Sequence, residues 1–115
     1  MINITFNPKT LELEINGHAG QGKKGEDIVC AAISTLFYTL AESLYDASEM
    51  LDGDMTFSDQ DGNGFLKVTP KKEYEANVSL IYWTILKGFD LVARHYKENV
   101  KLDIGGLENP KNDNL

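Results

Sequence analysis

The sequence has a single cysteine, Cys30, in 115 residues, and it has few prolines and no long apolar run. One cysteine excludes an internal disulfide and a cysteine-based zinc cage, and it suits the reducing cytosol. Three prolines and ten glycines exclude a collagen-like or low-complexity chain. The longest stretch without a charge, Ile28–Ala41, has fourteen residues, whereas a membrane span needs roughly 20, so this stretch predicts a buried helix and no membrane association. The N-terminus has no basic block before an apolar one, so we expect no secretion signal and a cytoplasmic location.

Positive charge is also scarce. The chain has eleven Lys and Arg residues and eighteen Asp and Glu residues, which gives a formal net charge of −7. Such a surface repels phosphate backbones, so direct nucleic-acid binding is not expected. The stretch Glu42–Leu66 contains seven acids and no Lys or Arg. It is either a solvated surface or a surface that attracts a basic partner by long-range steering.

The pattern of apolar residues predicts one α+β domain with the order β-β-α-β-β-α-β. Alternating apolar residues predict the strands, and apolar stripes three and four residues apart predict two long helices packed on a small sheet. We expect the domain to span residues 1–104 and residues 105–115 to form a polar, frayed tail. The predicted segments are a β-hairpin (2–6 and 11–15), a helix (26–48), two short strands (55–57 and 65–68), a second helix (73–99) and a last strand (100–104).

Three ligand-binding motifs match the sequence only in part. Gly20-x-Gly22-x-x-Gly25 resembles a dinucleotide fingerprint, but Asn16–Ala19 separate it from the strand that it should follow. Gly17–Lys24 has Lys24 where a phosphate-binding loop needs the hydroxyl that holds magnesium. The run Asp59–Gly64 begins like an EF-hand loop, but Pro70 occupies the position of the bidentate glutamate. We therefore expect no cofactor and no metal.

A cysteine and a histidine form a better candidate site. If Asp27 caps the following helix, Cys30 lies in its first turn, where free N–H groups favour an anion and so the reactive thiolate. His18 lies at the end of the preceding strand and could accept the thiol proton. The residues alone leave an alternative open, because a lone cysteine on an apolar helix is most often a small buried side chain, and His18 could be an exposed loop residue.

A family resemblance rests on two runs of sequence, Gly17–Gly20 (GHAG) and Gly25–Ser34 (GEDIVCAAIS). They resemble, in identity and spacing, the signature of the bacterial ribosomal-processing cysteine protease family, Prp. The resemblance implies a homodimeric enzyme that cuts an N-terminal extension from a large-subunit ribosomal protein, next to an aromatic-containing motif. It implies that Cys30 is the nucleophile and His18 the base. Supporting positions in the motif match four further residues: Gly17, Gly20, Asp27 and Ser34.

The sequence therefore predicts a cytoplasmic cysteine endopeptidase with a protein substrate, in which a glycine-rich loop closes over the peptide. Backbone N–H groups at the start of the Cys30 helix are expected to hold the oxyanion. Asp27 either caps that helix or orients His18, and Ser34 either supports the site or bonds the carbonyl one turn back. Two alternatives remain: a non-catalytic acidic module that binds a basic protein, and a related protease that acts on a viral structural precursor.

Overall fold

The computed structural model describes residues 1–18, 27–105 and 107–108. Single-turn 3₁₀ helices at Ser48–Met50 and Lys72–Tyr74 precede the third strand and the second α-helix. The predicted α+β class and element order are confirmed, with one additional short strand at the end. The elements are β1 (Ile2–Asn7), β2 (Glu12–Gly17), α1 (Ile28–Asp46), β3 (Thr56–Gln60), β4 (Asn63–Lys67), α2 (Glu75–His95), β5 (Val100–Ile104) and β6 (Leu107–Glu108).

The six strands form one mixed sheet in the order β3-β4-β2-β1-β5-β6. All neighbouring pairs are antiparallel except β1 and β5, which are parallel. A parallel pair needs a crossover connection, and α2 supplies the helix that leads into β5. Ile4 at the centre of the sheet pairs with Ile15 on one side and with Leu102 on the other.

Among the described residues, one face of the sheet is covered. In β1, Ile2, Ile4 and Phe6 are buried, whereas the alternate residues are exposed, as expected when one face packs on a core and the other meets water. Both helices lie on the buried face. At their crossing, a Cβ on Gly88 would stand 2.6 Å from Leu36 Cδ2, so glycine allows the two helices to approach closely.

Helix α1 is buried along one side only. By length and composition it is the one helix in the described part of the chain that could cross a membrane. Its inner residues Val29, Ile33 and Phe37 join the core, as do Leu40 and Leu44. Its outer side carries exposed residues, including Ser34 and Thr35. The prediction of a buried helix is therefore correct for the face of α1 that packs on the core, whereas the opposite face is exposed.

The hairpin of β3 and β4 is longer than predicted. The sequence favours a turn over residues 58–64, but β3 continues to Gln60 and β4 resumes at Asn63. Only Asp61 and Gly62 remain in the turn, and Gly62 has φ +77°. An Asp-Gly pair suits a two-residue hairpin turn, and glycine adopts the positive φ at the second position without steric cost. The longer β3 carries one acidic residue, Asp59, on the helix side of the sheet.

The C-terminal segment differs from the predicted tail at Leu107–Glu108. These two residues form β6, which pairs antiparallel with Asp103 and Ile104 of β5. Backbone pairing to a neighbouring strand edge needs no apolar pattern, so the polar composition gives no sign of it. Residue 106 and residues 109–115 of the predicted tail lie outside the described residues.

Candidate active site

The end of β2 brings His18 to one end of the sheet. Gly17 has φ +101°, and a Cβ at this position would stand only 2.2 Å from the carbonyl oxygen of Met1. Glycine is thus required there for both its conformation and its lack of a side chain. His18 follows directly and is exposed. Its carbonyl oxygen accepts a hydrogen bond from the Met1 nitrogen, which fixes the backbone at the strand end.

The start of α1 brings Cys30 to the same end. Asp27 is the N-cap: its Oδ1 accepts hydrogen bonds from the N–H groups of Val29 and Cys30, both at 3.0 Å. The capping role of Asp27, one of the two predicted alternatives, is therefore present in the structure. Cys30 is half-buried in the first turn of the helix, where the positive end of the helix dipole favours a negative charge.

The same cap involves three N–H groups of the predicted oxyanion site. The N–H groups of Val29 and Cys30 donate to the Asp27 side chain, and the N–H of Ala31 donates to the Asp27 carbonyl oxygen at 3.0 Å. These three donors are already satisfied, so the start of the helix does not offer them to a substrate. Helix capping and oxyanion binding compete for the same N–H groups, and here capping prevails.

A cleft of about 700 Å³ opens between these two segments and the β3–β4 hairpin. His18 and Cys30 both line it, and no hydrogen bond joins their side chains among the described residues. Gly17, Asp27 and Ser34, three of the four predicted supporting residues, also line the cleft. Gly20 lies outside the described residues. The described lining residues are Ile2, Ile15, Gly17, His18, Asp27, Cys30, Ala31, Ile33, Ser34, Phe37, Asp59, Gln60, Asp61, Gly62, Asn63 and Gly64.

Ser34 lies one turn after Cys30, on the exposed side of α1 that faces the cleft. Among the described residues, Thr35 and Thr39 donate their hydroxyls to the carbonyl one turn back, at 2.8 and 2.6 Å. No such bond is found for Ser34. Of its two predicted alternatives, the position facing the cleft is the one that the geometry favours.

The hairpin wall of the cleft is the part that the sequence did not predict. Asp59 pairs with Gly64, and Gly64 pairs with the buried Ile15, so Asp59 projects on the helix side of the sheet. The missing side chain of Gly64 leaves room for Phe37, since a Cβ there would stand 2.9 Å from the ring. Phe57 stacks on the same ring at a centroid distance of 5.2 Å. Strand register, which is not visible in the local sequence, determines this arrangement.

The cleft combines an acidic wall with an apolar base. Asp27, Asp59 and Asp61 line it, and none of the described lining residues is Lys or Arg. Among the described residues no group of three or more His, Cys, Asp or Glu side chains could hold a metal ion. The arrangement offers a thiol, an imidazole and a groove that suits a chain with apolar and basic side chains.

The comparison with known families agrees with this geometry. The family model described as cysteine protease Prp matches residues 1–101, nearly all of the described chain. The chain belongs to the Prp family of cysteine proteases. The predicted resemblance and the predicted enzyme class are thereby confirmed, and the alternative of a non-catalytic binding module is set aside.

One sequence relative supports the same assignment, and two solved structures share the fold. The ribosomal processing cysteine protease Prp of Staphylococcus aureus is 27% identical over 104 residues, which cover 89% of this chain and 95% of that protein. The crystal structure of the S. aureus protease with a covalently linked product peptide matches with a TM-score of 0.75 at 23% identity, covering 90% and 99% of the two chains. A Streptococcus mutans protein matches with a TM-score of 0.64 at 27% identity, covering 90% of each chain.

Proposed function

We propose that this protease removes an N-terminal extension from the precursor of a large-subunit ribosomal protein, with Cys30 as nucleophile and His18 as base. One observation carries the proposal. In a chain of the Prp family, the thiol at the start of α1 and the imidazole at the end of β2 open onto the same cleft. The name of the S. aureus relative, a ribosomal processing protease, supports the choice of substrate.

The residues would act in a two-stage acyl transfer. His18 takes the proton from the Cys30 thiol, and the thiolate attacks the carbonyl carbon of the scissile bond. The protonated His18 then gives its proton to the leaving amine as the C–N bond breaks, which leaves a thioester on Cys30. Water, deprotonated by His18, hydrolyses the thioester and restores the thiol. In the structure the two side chains are not hydrogen-bonded, and such contacts often tighten only when substrate is bound.

Substrate recognition would combine apolar anchors with charge. Ile15, Ile33 and Phe37 give the cleft an apolar base on which the aromatic side chains expected near the cut site can pack. Asp59 and Asp61 form an acidic wall that attracts the Lys and Arg residues of a ribosomal protein. These acids raise the rate of encounter more than the affinity, so their effect depends on salt.

The test of the reaction uses a tagged ribosomal protein precursor and two enzymes, wild type and Cys30→Ala. Wild type should release the N-terminal extension, whereas Cys30→Ala should leave the precursor intact while it keeps the wild-type melting temperature. Cleavage by the alanine variant would contradict the proposal. If wild type cuts a viral structural precursor but leaves the ribosomal one uncut, the mechanism stands and the substrate is the predicted alternative.

The test of recognition compares two charge-matched double variants. Asp59→Asn with Asp61→Asn removes the acidic wall, whereas Asp52→Asn with Asp54→Asn removes the same charge from exposed positions outside the cleft lining. We expect the first variant to lower kcat/KM several-fold at about 0.05 M salt and the difference to disappear at about 0.5 M. Equal effects of both variants would show that only net charge matters.

We further propose that the protease works as a cytoplasmic homodimer. Along the outer side of α2, Leu80 is 69% exposed, and Trp83 and Leu91 are each 45% exposed. These three residues lie within one side of the helix by their spacing. A second copy that covers this stripe would remove apolar surface from water. Light scattering should give twice the 12.8 kDa chain mass, and Leu91→Glu should return it to one chain.

A further inference from the structure

The tip of the β3–β4 hairpin contacts the strand end that carries His18. The carbonyl oxygen of Gly62 accepts a hydrogen bond of 2.7 Å from the N–H of Gly17, the residue before His18. This bond continues the ladder between β2 and β4 beyond its last pair, Asn16 and Asn63. The turn therefore fixes the backbone from which the His18 side chain projects.

The same turn also contacts the imidazole itself. A Cβ at Gly62 would stand 2.9 Å from His18 Nε2, and 3.5 Å from both Cδ2 and Cε1. A contact of 2.9 Å is closer than carbon and nitrogen atoms approach without a bond, so any side chain at this position would displace the ring or the turn. The His18 ring occupies the space that the missing side chain leaves.

Two different requirements for glycine coincide at this position. Gly62 has φ +77°, which side chains disfavour, and its Cβ would meet His18. Gly53 meets only the first requirement, because it has φ +88° but nothing within 4 Å of its Cβ position. A turn that needed glycine only for its conformation would leave the space at the Cβ position empty, as it is at Gly53. The close approach to Nε2 is a second, separate reason for glycine at residue 62.

The position of the ring matters because several titratable groups share the cleft. Cys30 and Asp27 line it from α1, and Asp59 and Asp61 line it from the hairpin. A base that moves by about 1 Å can lose a large part of its catalytic effect. A ring displaced from the turn would change its distance to the thiol and to these carboxylates together.

We propose that the Asp61–Gly62 turn positions the His18 ring for proton transfer with Cys30, and that Gly62 is a positioning residue of the protease. The inference rests on the proposed function, in which His18 is the base. It assigns a role in the reaction to the β3–β4 hairpin, which carries neither the nucleophile nor the base. Gly62 acts through His18 and does not touch the reacting atoms.

The experiment compares substitutions at two glycines of similar backbone conformation. Gly62→Ala and Gly53→Ala both place a Cβ at a positive φ, whereas Gly62→Asn and Gly53→Asn use a residue that tolerates it. For each variant, three quantities are measured: the melting temperature, kcat and KM for a precursor peptide, and the pH dependence of Cys30 alkylation by iodoacetamide.

Both Gly62 variants should lower kcat about tenfold or more with little change in KM. Their alkylation curve should move to higher pH, because a displaced imidazolium no longer stabilises the thiolate. Both Gly53 variants should keep the wild-type curve and kcat. If Gly62→Asn matches Gly53→Asn in kcat and in alkylation, residue 62 needs glycine for its conformation alone, and the proposal is wrong.

His18→Ala, alone and combined with Gly62→Ala, separates this inference from the proposed function. If His18→Ala moves the alkylation curve and the double variant His18→Ala/Gly62→Ala has the same curve as His18→Ala, the base role of His18 and the positioning role of Gly62 are both supported. If His18→Ala moves the curve but the Gly62 variants do not, only the positioning role fails. If His18→Ala leaves the curve unchanged, the base assignment fails, and the positioning role fails with it.

Nuclear magnetic resonance provides a readout that does not depend on activity. The chain has two histidines, His18 and His95, and the His95 ring bonds within α2 to the carbonyl oxygen of Leu91 at 2.9 Å. The ring signals of His18 should shift in Gly62→Asn, whereas those of His95 should remain in place. Unchanged His18 signals in a folded Gly62→Asn variant would overturn the proposal.

Discussion

The region around α2 and the region around the cleft are built in different ways. Around α2 the sheet is covered by large apolar side chains, and Val78, Tyr82 and Phe89 are fully buried. Around the cleft lie three glycines, Gly17, Gly62 and Gly64. At each of them a Cβ atom would collide with a neighbouring group, so the absence of a side chain allows that group to approach closely. The first region holds the fold together by burial. The second holds a thiol and an imidazole in place by backbone contacts, so stability and chemistry are expected to respond to different substitutions.

The largest effect should come from Cys30→Ser. A hydroxyl in place of the thiol is not readily ionised by His18, so peptide cleavage should fall by several orders of magnitude. The thermal stability should stay near that of wild type, because the change is nearly isosteric. Steady-state cleavage and a melting curve measure the two quantities. Full activity of this variant would contradict the role of the thiol.

Phe89→Ala on α2 should have the opposite effect: it should lower the stability and leave the reactivity of the thiol unchanged. The ring is completely buried in the core, and its removal should cost about 3–5 kcal/mol of the free energy of unfolding. Under conditions where the variant is folded, the rate of Cys30 alkylation should match that of wild type. Urea denaturation gives the free energy. A specific loss of thiol reactivity at retained stability would show that the two regions are coupled.

Asp27→Ala should affect both properties to a moderate degree. It removes the side-chain acceptor of two N–H groups at the start of α1, which should cost about 1 kcal/mol of the free energy of unfolding. Because the released N–H groups lie beside Cys30, the pH dependence of alkylation should change as well. Asp27→Asn is the control, since an asparagine retains most of the capping without the charge. Because both variants lack the charge, equal behaviour in alkylation would show that the loss of the cap has no effect of its own there.

The smallest effect is expected from Tyr82→Phe, and only at high pH. Burial raises the pKa of Tyr82 well above its usual range, and the nearby Val68 backbone opposes that rise only in part. The neutral phenol is therefore the form favoured by the fold. Its contribution to stability is complete below the unfolded pKa of about 10 and is lost as the pH rises above it. Tyr82→Phe should lose less stability than wild type between about pH 9 and 11, as measured by urea denaturation.

Local patterns in the sequence were sufficient to predict much of the fold. The alternation of Ile2, Ile4 and Phe6 and the spacing of Val78, Tyr82 and Phe89 identify a strand and a helix face, because side-chain direction follows from backbone geometry alone. The pairing of His18 with Cys30 came from spacing in the chain together with the family signature. Both features depend on residues that are close in sequence.

The features that the sequence did not predict depend on strand register and on pairing at a sheet edge, which composition does not reveal. Asp59 lines the cleft because β3 pairs with β4 in one register, and β6 forms because Leu107 finds the edge beside Ile104. The oxyanion prediction did not anticipate a local competitor: the Asp27 carboxylate and carbonyl accept hydrogen bonds from three N–H groups at the start of α1. A sequence shows that donors are present, but not which acceptor takes them.

The central claim, that Cys30 and His18 together cut a peptide bond, has a direct test in the acyl-enzyme. The protease is mixed with a precursor peptide, quenched in acid within one turnover and analysed by mass spectrometry. The account predicts that the N-terminal part of the peptide is attached to Cys30 as a thioester, and that His18→Ala forms this adduct far more slowly. Cleavage of the peptide with no adduct on Cys30, or adduct formation at the wild-type rate in His18→Ala, would contradict it.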